Sequence, residues 1–182
     1  MKTRLIIIAV FLTLVSNVIC PFSHAADLTL NNTPAQACFS PKGGCTEAII
    51  KELEKAKTEI LVQAYTLTSA SIVKALLSAH KRGVKVEVSL DKSQRSEKYT
   101  SATFFANSGI STFIDDKHAI AHNKIMIIDK ETVITGSFNF TKNAEERNAE
   151  NLLIIKDKKL AQIYLDNWYK HKEHSKKYEG RL

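Results

Sequence analysis

The chain has 182 residues, of which 44% are hydrophobic and 25% are charged, and its formal net charge is +7. Beyond the N-terminal segment, no apolar stretch approaches the roughly 20 residues that a membrane-spanning helix needs, which excludes a membrane protein with several spans. The basic excess favours a polyanionic partner such as nucleic acid or an anionic lipid surface, but charge alone does not separate this from ordinary solubilising charge.

The N-terminal segment has the three parts of a secretory signal. Residues 1–4 are basic, residues 5–15 are apolar, and residues 23–25 supply small side chains where a signal peptidase cleaves. We therefore expect a cleaved signal over residues 1–25 and one catalytic domain over residues 26–182, exported to the periplasm. Loss of Lys2 and Arg4 leaves 24 basic against 19 acidic residues, a net charge of +5.

Helix-like and strand-like patterns alternate along the rest of the chain. Apolar residues at helical spacing mark some segments, and period-two alternation or short apolar runs mark others. The patterns predict helices over residues 47–53, 71–80, 99–106 and 160–171, and strands over residues 60–65, 84–88, 110–114, 124–128, 132–135 and 152–155. This order predicts an α/β fold with a mixed sheet flanked by helices on both faces. The polar tail, residues 172–182, is expected to fray.

Two cysteines, Cys38 and Cys45, remain after the signal. An even number in an exported protein indicates a disulfide, and the segment between them is rich in turn-forming residues. Two free thiols are the alternative. Nothing nearby completes a set of metal ligands.

The chemistry is concentrated in two short segments. His122 and Lys124 are two residues apart and share a face if that stretch is extended, and Ser137 and Asn139 form a second such pair after Gly136, which frees the backbone. An imidazole that attacks or protonates, beside an ammonium, a hydroxyl and an amide that bind nonbridging oxygens, suits a phosphodiester.

Two carboxylates have different expected roles. Asp129 lies at an odd offset from His122 and opens a turn, so we interpret it as a structural residue of a hairpin. Glu150 could accept a hydrogen bond from a ring nitrogen of His122 and fix its tautomer; a surface acid at a strand edge is the alternative.

The spacing His122-x-Lys124-x(4)-Asp129-x(6)-Gly136-Ser137-x-Asn139 resembles the signature of the phospholipase D superfamily. The resemblance runs over about residues 39–168 and is greatest to the small bacterial periplasmic nonspecific endonucleases that carry one copy of the motif. It implies an α/β/α sandwich, a phosphohistidine intermediate on His122, phosphate binding by Lys124, Ser137 and Asn139, and orientation of the histidine by Glu150.

One copy of the motif has a consequence for assembly. Covalent catalysis needs one imidazole to attack phosphorus and another to protonate the leaving oxygen. We therefore expect a homodimer with the active site shared across the two-fold axis. No cofactor and no metal are expected, because Lys124 and its neighbours supply positive charge and no clustered carboxylates suggest a two-metal site.

Several functions remain open. Hydrolysis of DNA or RNA is the first hypothesis, and cleavage of phospholipid headgroups by the same site is the second. A non-catalytic nucleic-acid binder and a metal-dependent hydrolase that uses His118 with His122 are the others. Candidate phosphate contacts are Lys81, Arg82, Lys85, Lys142 and Arg147.

Overall fold

The computed structural model describes residues 26–95 and 101–180, so the predicted signal segment lies outside the described residues. The strands are β1 (Ala35–Ser40), β2 (Glu59–Ala64), β3 (Lys85–Asp91), β4 (Ser111–Asp115), β5 (Lys124–Ile128), β6 (Thr132–Gly136), β7 (Glu150–Lys156) and β8 (Lys176–Lys177). The helices are α1 (Cys45–Lys55), α2 (Ala70–Lys81), α3 (Ala102–Asn107), α4 (Lys142–Glu146) and α5 (Lys158–His174), with a 3-10 turn over Lys92–Arg95. None of the helices in these two ranges has the length and apolar character to cross a bilayer.

All eight strands form one mixed sheet in the order β1-β7-β6-β5-β2-β3-β4-β8. β2, β3 and β4 run parallel to one another, whereas β5 pairs antiparallel with β2. β5, β6 and β7 then continue as an antiparallel meander, and β1 closes that edge against β7. The predicted mixed sheet is therefore correct.

Helices cover both faces of the sheet, as predicted. Alternate residues of β2 point to opposite sides, so Ile60 and Val62 pack with α1 and α2, whereas Leu61 packs against α5. Trp168 of α5 is fully buried and its indole N–H donates to the Val62 carbonyl over 3.1 Å. Burial on both faces explains why these strands appear as nearly continuous apolar runs.

Three elements, β1, α4 and β8, were not predicted. β1 is mostly exposed and has no apolar alternation to reveal it, and α4 has only five residues. The expectation that residues 172–182 fray is wrong where the tail is described. α5 continues to His174, β8 pairs with β4, and the Tyr178 hydroxyl contacts Thr103 at 2.8 Å.

The predicted disulfide between Cys38 and Cys45 is not present in the structure. Both residues are free thiols, with exposed fractions of 6% and 0%. Burial, reinforced by the neighbouring Cys38 and Glu145, raises the pKa of the Cys45 thiol to about 12. Cys45 is therefore a protonated thiol, and both cysteines pack in the core as small, weakly polar side chains.

Asp129 occupies the turn between β5 and β6, at the far end of β5 from Lys124. Asp129 and Lys130 have φ values of 52° and 58°, a conformation that Asp tolerates better than most residues. The Asp129 carboxylate accepts from the backbone N–H groups of Lys57, Thr58 and Glu59 and from the Thr58 hydroxyl, at 2.8–3.2 Å. These are the contacts of a structural residue that ties the hairpin to the start of β2.

The substitution Asp129→Asn tests this role, because Asn also tolerates a positive φ and the change removes mainly the charge. We expect the free energy of unfolding to fall by about 1–3 kcal/mol, the range for hydrogen bonds to a charged group. Partial burial would raise the pKa of Asp129. The hydrogen bonds that its carboxylate accepts from Thr58, Lys57 and Glu59 outweigh this effect and lower the pKa below the ordinary value of 3.8.

The lowered pKa sets the pH dependence. The stabilisation by Asp129 is complete above the ordinary carboxylate pKa and is lost as the pH falls through the lowered folded-state value. Urea unfolding at neutral and acidic pH measures it. Asp166→Asn is the matched control, since Asp166 accepts one exposed hydrogen bond from Gln162. Equal stability of Asp129→Asn and the wild type at neutral pH would contradict the assignment.

Candidate active site

The predicted site residues lie at one end of the central strands, where β2 and β6 end and β5 begins. β5 starts at Lys124 opposite Ala64, the last residue of β2. β6 ends at Gly136 opposite Leu152, close to the start of β7 at Glu150. The antiparallel meander therefore brings both polar segments of the motif to the edge at which β2 ends.

His122 lies just before β5, and its side chain is exposed to solvent. Its ring centroid is 4.7 Å from that of Tyr65, with the planes tilted by 56°. The Tyr65 N–H donates to the Asn123 carbonyl over 2.8 Å, and the Ala121 N–H donates to the Asp91 carboxylate over 2.7 Å. The backbone on both sides of His122 is thus held in place, while the imidazole stays accessible.

Lys124, two residues after His122, is buried, with an exposed fraction of 6%. Its ammonium donates to the His122 carbonyl over 2.6 Å and sits 5.2 Å from the Tyr65 ring centroid. Burial lowers the pKa of Lys124, and the negative charge of Glu150 partly opposes this effect. The negative charge of Glu150 only partly offsets the positive charge of the buried Lys124, which can therefore attract an anion.

Gly136 begins an irregular turn that positions the second segment. The Asn151 carbonyl accepts from both the Ser137 and the Phe138 N–H groups, at 3.1 and 3.2 Å. Gly136 has a φ of 148°, and a Cβ atom there would lie 2.3 Å from the Asn151 oxygen. The close approach of these two strands therefore requires glycine.

Ser137 and Glu150 form a short hydrogen-bonded pair. The Ser137 hydroxyl donates to Glu150 Oε2 over 2.6 Å, and Asn148 donates to Glu150 Oε1 over 3.1 Å. The Ser137 oxygen also accepts from the Asn151 backbone at 3.1 Å. Within the described residues, the hydrogen bonds of the Glu150 carboxylate go to these neighbours, and the expected contact with His122 of the same chain is not formed.

Asn139 lies in the sequence between two fully buried aromatic residues, Phe138 and Phe140. The Phe140 carbonyl accepts from the Thr68 and Ser69 N–H groups, which fixes the segment to the loop after β2. The Asn139 Oδ1 atom is buried without a hydrogen-bond partner in the described part of the chain. Buried polar atoms normally have partners, and exceptions are typical of functional sites.

The contacts link most of the predicted residues but not all of them. His122 contacts Lys124, Lys124 lies in the electrostatic range of Glu150, and Glu150 binds Ser137. Asn139 has no described contact with His122, Lys124, Glu150 or Ser137. Tyr65, which touches both His122 and Lys124, was not predicted as a site residue, because an aromatic residue at the end of a buried strand usually belongs to the core.

A cavity of about 570 Å³ opens beside His122 and Lys124. Helix α5 forms its other wall and contributes Tyr164, Asn167 and Lys170. The walls are mainly polar, with two isoleucines, Ile125 and Ile163. Such a surface suits a hydrated, charged ligand better than an acyl chain.

The candidate phosphate contacts separate into two groups. Lys142 and Arg147 lie at the two ends of α4, which follows Asn139. Lys81, Arg82 and Lys85 lie where α2 ends and β3 begins, at the opposite edge of the sheet from His122. Arg82 donates to the Leu53 carbonyl there, at 2.9 Å. Contact of these three residues with a phosphate held by His122 is therefore ruled out.

His118 does not join His122. Its Nδ1 atom lies 3.2 Å from both carboxylate oxygens of Asp115, and its ring contacts those of His171 and His174. The geometry therefore gives no support to a metal-dependent hydrolase built from His118 and His122.

Comparison with known proteins adds an independent line of evidence. Residues 49–171 match a family model described as cardiolipin synthase, PLD-like domain. A protein of Rickettsia prowazekii named phospholipase D is 46% identical over 143 residues, which cover 79% of this chain and 70% of that protein.

Two solved structures share the fold. The phospholipase D family member Nuc from Salmonella typhimurium is 36% identical, with a TM-score of 0.78 over 81% of this chain and 99% of Nuc. NucT from Helicobacter pylori is 22% identical, with a TM-score of 0.74 over 80% of this chain and 99% of NucT. The sequence and the fold agree, and the chain belongs to the phospholipase D superfamily of phosphodiesterases.

Proposed function

We propose that this protein is an exported nuclease that hydrolyses phosphodiester bonds of DNA and RNA with little sequence specificity. The observation that carries the proposal is that the exposed His122 imidazole and the buried ammonium of Lys124 both lie against the ring of Tyr65. An accessible nucleophile next to a desolvated cation is the arrangement that attack on a phosphate anion requires.

The reaction has two steps. A ring nitrogen of His122 attacks phosphorus, the bond from phosphorus to the leaving oxygen breaks, and a second imidazole gives that oxygen its proton. Water then attacks the phosphorus of the phosphohistidine and gives a proton to the second imidazole. The bond between phosphorus and the His122 nitrogen breaks, so the phosphate monoester is released and His122 is regenerated. Lys124, Ser137 and Asn139 bind the nonbridging oxygens as charge develops on them, and this role requires no catalytic metal.

The second imidazole is proposed to be His122 of another copy of the chain. His80 lies on α2 and His118 contacts Asp115, so neither is placed beside His122. A two-fold axis through the site would bring two His122 rings to one phosphate, as a self-complementary interface does for any residue near its axis. Such a homodimer also supplies two copies of Lys124.

Three features favour nucleic acid as the substrate. The chain is basic, the cavity beside His122 is mainly polar, and Lys142 and Arg147 lie at the two ends of α4, just after Asn139. Contacts of cations with phosphates are independent of base sequence. Nuc, with which the chain shares 36% identity and its fold, belongs to the same family.

Phospholipid is the second candidate substrate, and the observation in its favour is the 46% identity with a Rickettsia protein named phospholipase D. The same groups would act on either diester. We also propose that the reaction takes place outside the cytoplasm, in the periplasm, because the sequence predicts a secretory signal and resembles periplasmic endonucleases.

Substitution of the proposed nucleophile tests the chemistry. We expect His122→Ala to lower kcat on plasmid DNA by about 10³-fold or more, because the covalent route is lost. His80→Ala is the matched control and should keep wild-type activity. Acid-labile phosphorylation of wild-type protein, located at His122 by mass spectrometry, should be absent from His122→Ala. Equal turnover of the two variants would overturn the assignment.

Parallel assays on plasmid DNA, RNA and phosphatidylcholine vesicles distinguish the substrates. We expect nucleic acid to be cleaved faster, with a rate that falls steeply as salt screens the phosphate contacts. Faster headgroup release from vesicles, lost in His122→Ala, would establish the second candidate instead.

Mixing wild-type and His122→Ala chains tests the shared site. After equimolar mixing and free subunit exchange, about a quarter of the dimers are wild type on both sides, so activity per total chain should fall to about a quarter. Independent chains would retain about half. Mixing with His80→Ala should change nothing, and an active preparation that sediments only as monomer would refute the dimer.

A further inference from the structure

Four potential metal ligands meet at the end of β4. Asp115 is the last residue of β4, and His118 lies in the following loop. His171 and His174 lie on the last turn of α5. His171 and His174 are three residues apart, a spacing that puts two side chains of a helix on one face. The four ligand atoms lie within 4.8 Å of one another.

The histidines converge on one carboxylate. His171 Nδ1 is 2.7 Å from Asp115 Oδ2, and His118 Nδ1 is 3.2 Å from both carboxylate oxygens. His174 Nε2 is 3.3 Å from Asp115 Oδ1. Ligands about 2.0–2.1 Å from a tetrahedral ion lie roughly 3.3–3.4 Å apart, so most of these distances already match the edges of such a tetrahedron.

Hydrogen bonding alone leaves this cluster incomplete. His174 Nε2 is buried, and its approach to Asp115 does not have the geometry of a hydrogen bond, so it has no such partner among the described residues. The three imidazole rings lie only 4.8–5.3 Å apart. Three imidazoles this close together can all bind one divalent ion.

Asp115 is suited to bind a cation. Its exposed fraction is 1%. Its carboxylate lies within 2.7–3.3 Å of a ring nitrogen of each of the three histidines, and the partly exposed His118 leaves a route from solvent.

We propose that Asp115, His118, His171 and His174 form a binding site for a divalent transition-metal ion, with Zn²⁺ as the best match. Three imidazoles and a carboxylate suit zinc and are unlike the all-oxygen ligand sets of Mg²⁺ and Ca²⁺. Four protein ligands complete a tetrahedron and leave no position for an activated water, so the site is structural.

The ion would join elements that are distant in sequence. It would tie the end of α5 to β4 and to residues 116–123, the loop that contains His122. The sequence predicted no metal. The present proposal replaces that prediction with a metal ion that stabilises the fold. The metal-independent reaction proposed at His122 is unaffected. The sequence signal was the pair of Asp-x-x-His and His-x-x-His spacings.

Zinc binding to the mature, metal-free protein tests the site. We expect one equivalent of Zn²⁺ per chain, with a Kd on the order of 1 µM or tighter, and a rise in Tm on the order of 10 °C at a thousandfold excess over Kd. X-ray absorption should show four nitrogen and oxygen ligands, most of them imidazole. Failure to bind a stoichiometric ion, with no change in Tm, would overturn the proposal.

Variants locate the ion. His118→Ala, in an exposed loop, and the double variant His171→Ala/His174→Ala should each weaken zinc binding by at least tenfold. His80→Ala and His122→Ala should bind zinc as the wild type does, and the second of these separates this site from the proposed catalytic one. Loss of zinc in His122→Ala with retention in His118→Ala would place the ion at the active site and refute the assignment.

Discussion

The antiparallel pairing of β5 with β2 is the constraint on which the candidate active site depends. In a parallel sheet the loops that follow the strands gather at one edge, and β5 reverses direction so that its first residue, Lys124, faces Ala64 at that same edge. The reversal puts Tyr65 beside His122. Burial on both faces fixes the register, because a shift by one residue would turn Lys124 into the core between the sheet and α5.

Much of this architecture could be predicted, since β2, β3 and the β5–β6 hairpin bury one or both faces and therefore carry a strong apolar pattern. β1 could not, because its residues are mostly exposed and only its pairing with β7 makes it a strand. The extension of α5 to His174 was also missed. The last turn of α5 is charged and looks like a frayed tail. His171, however, hydrogen-bonds to Asp115, a residue far away in the sequence, and His174 lies 3.3 Å from the same carboxylate.

The candidate site shows the same division between local and long-range information. Spacing in the motif was enough to select His122, Lys124, Ser137 and Asn139, but it could not say which side chains touch one another or the downstream Glu150. The structure pairs Glu150 with Ser137 rather than with His122 of the same chain. The basic residues at the start of β3 were selected from charge alone. Parallel pairing of β3 with β2 puts them at the opposite edge, which only the topology reveals.

The spacing of His122-x-Lys124-x(4)-Asp129 follows from the width of the sheet. β5 has five residues and spans about 17 Å at roughly 3.3 Å per residue, so Lys124 and Asp129 lie at opposite edges. Each end of the segment is fixed by a carboxylate that accepts backbone N–H groups. Asp91 accepts from the Ala121 N–H just before His122, and Asp129 accepts from the N–H of Thr58 just before β2. An exposed His122 would otherwise end a flexible loop. The motif is therefore one anchored strand, with reactive groups at its first end and a structural carboxylate at its last.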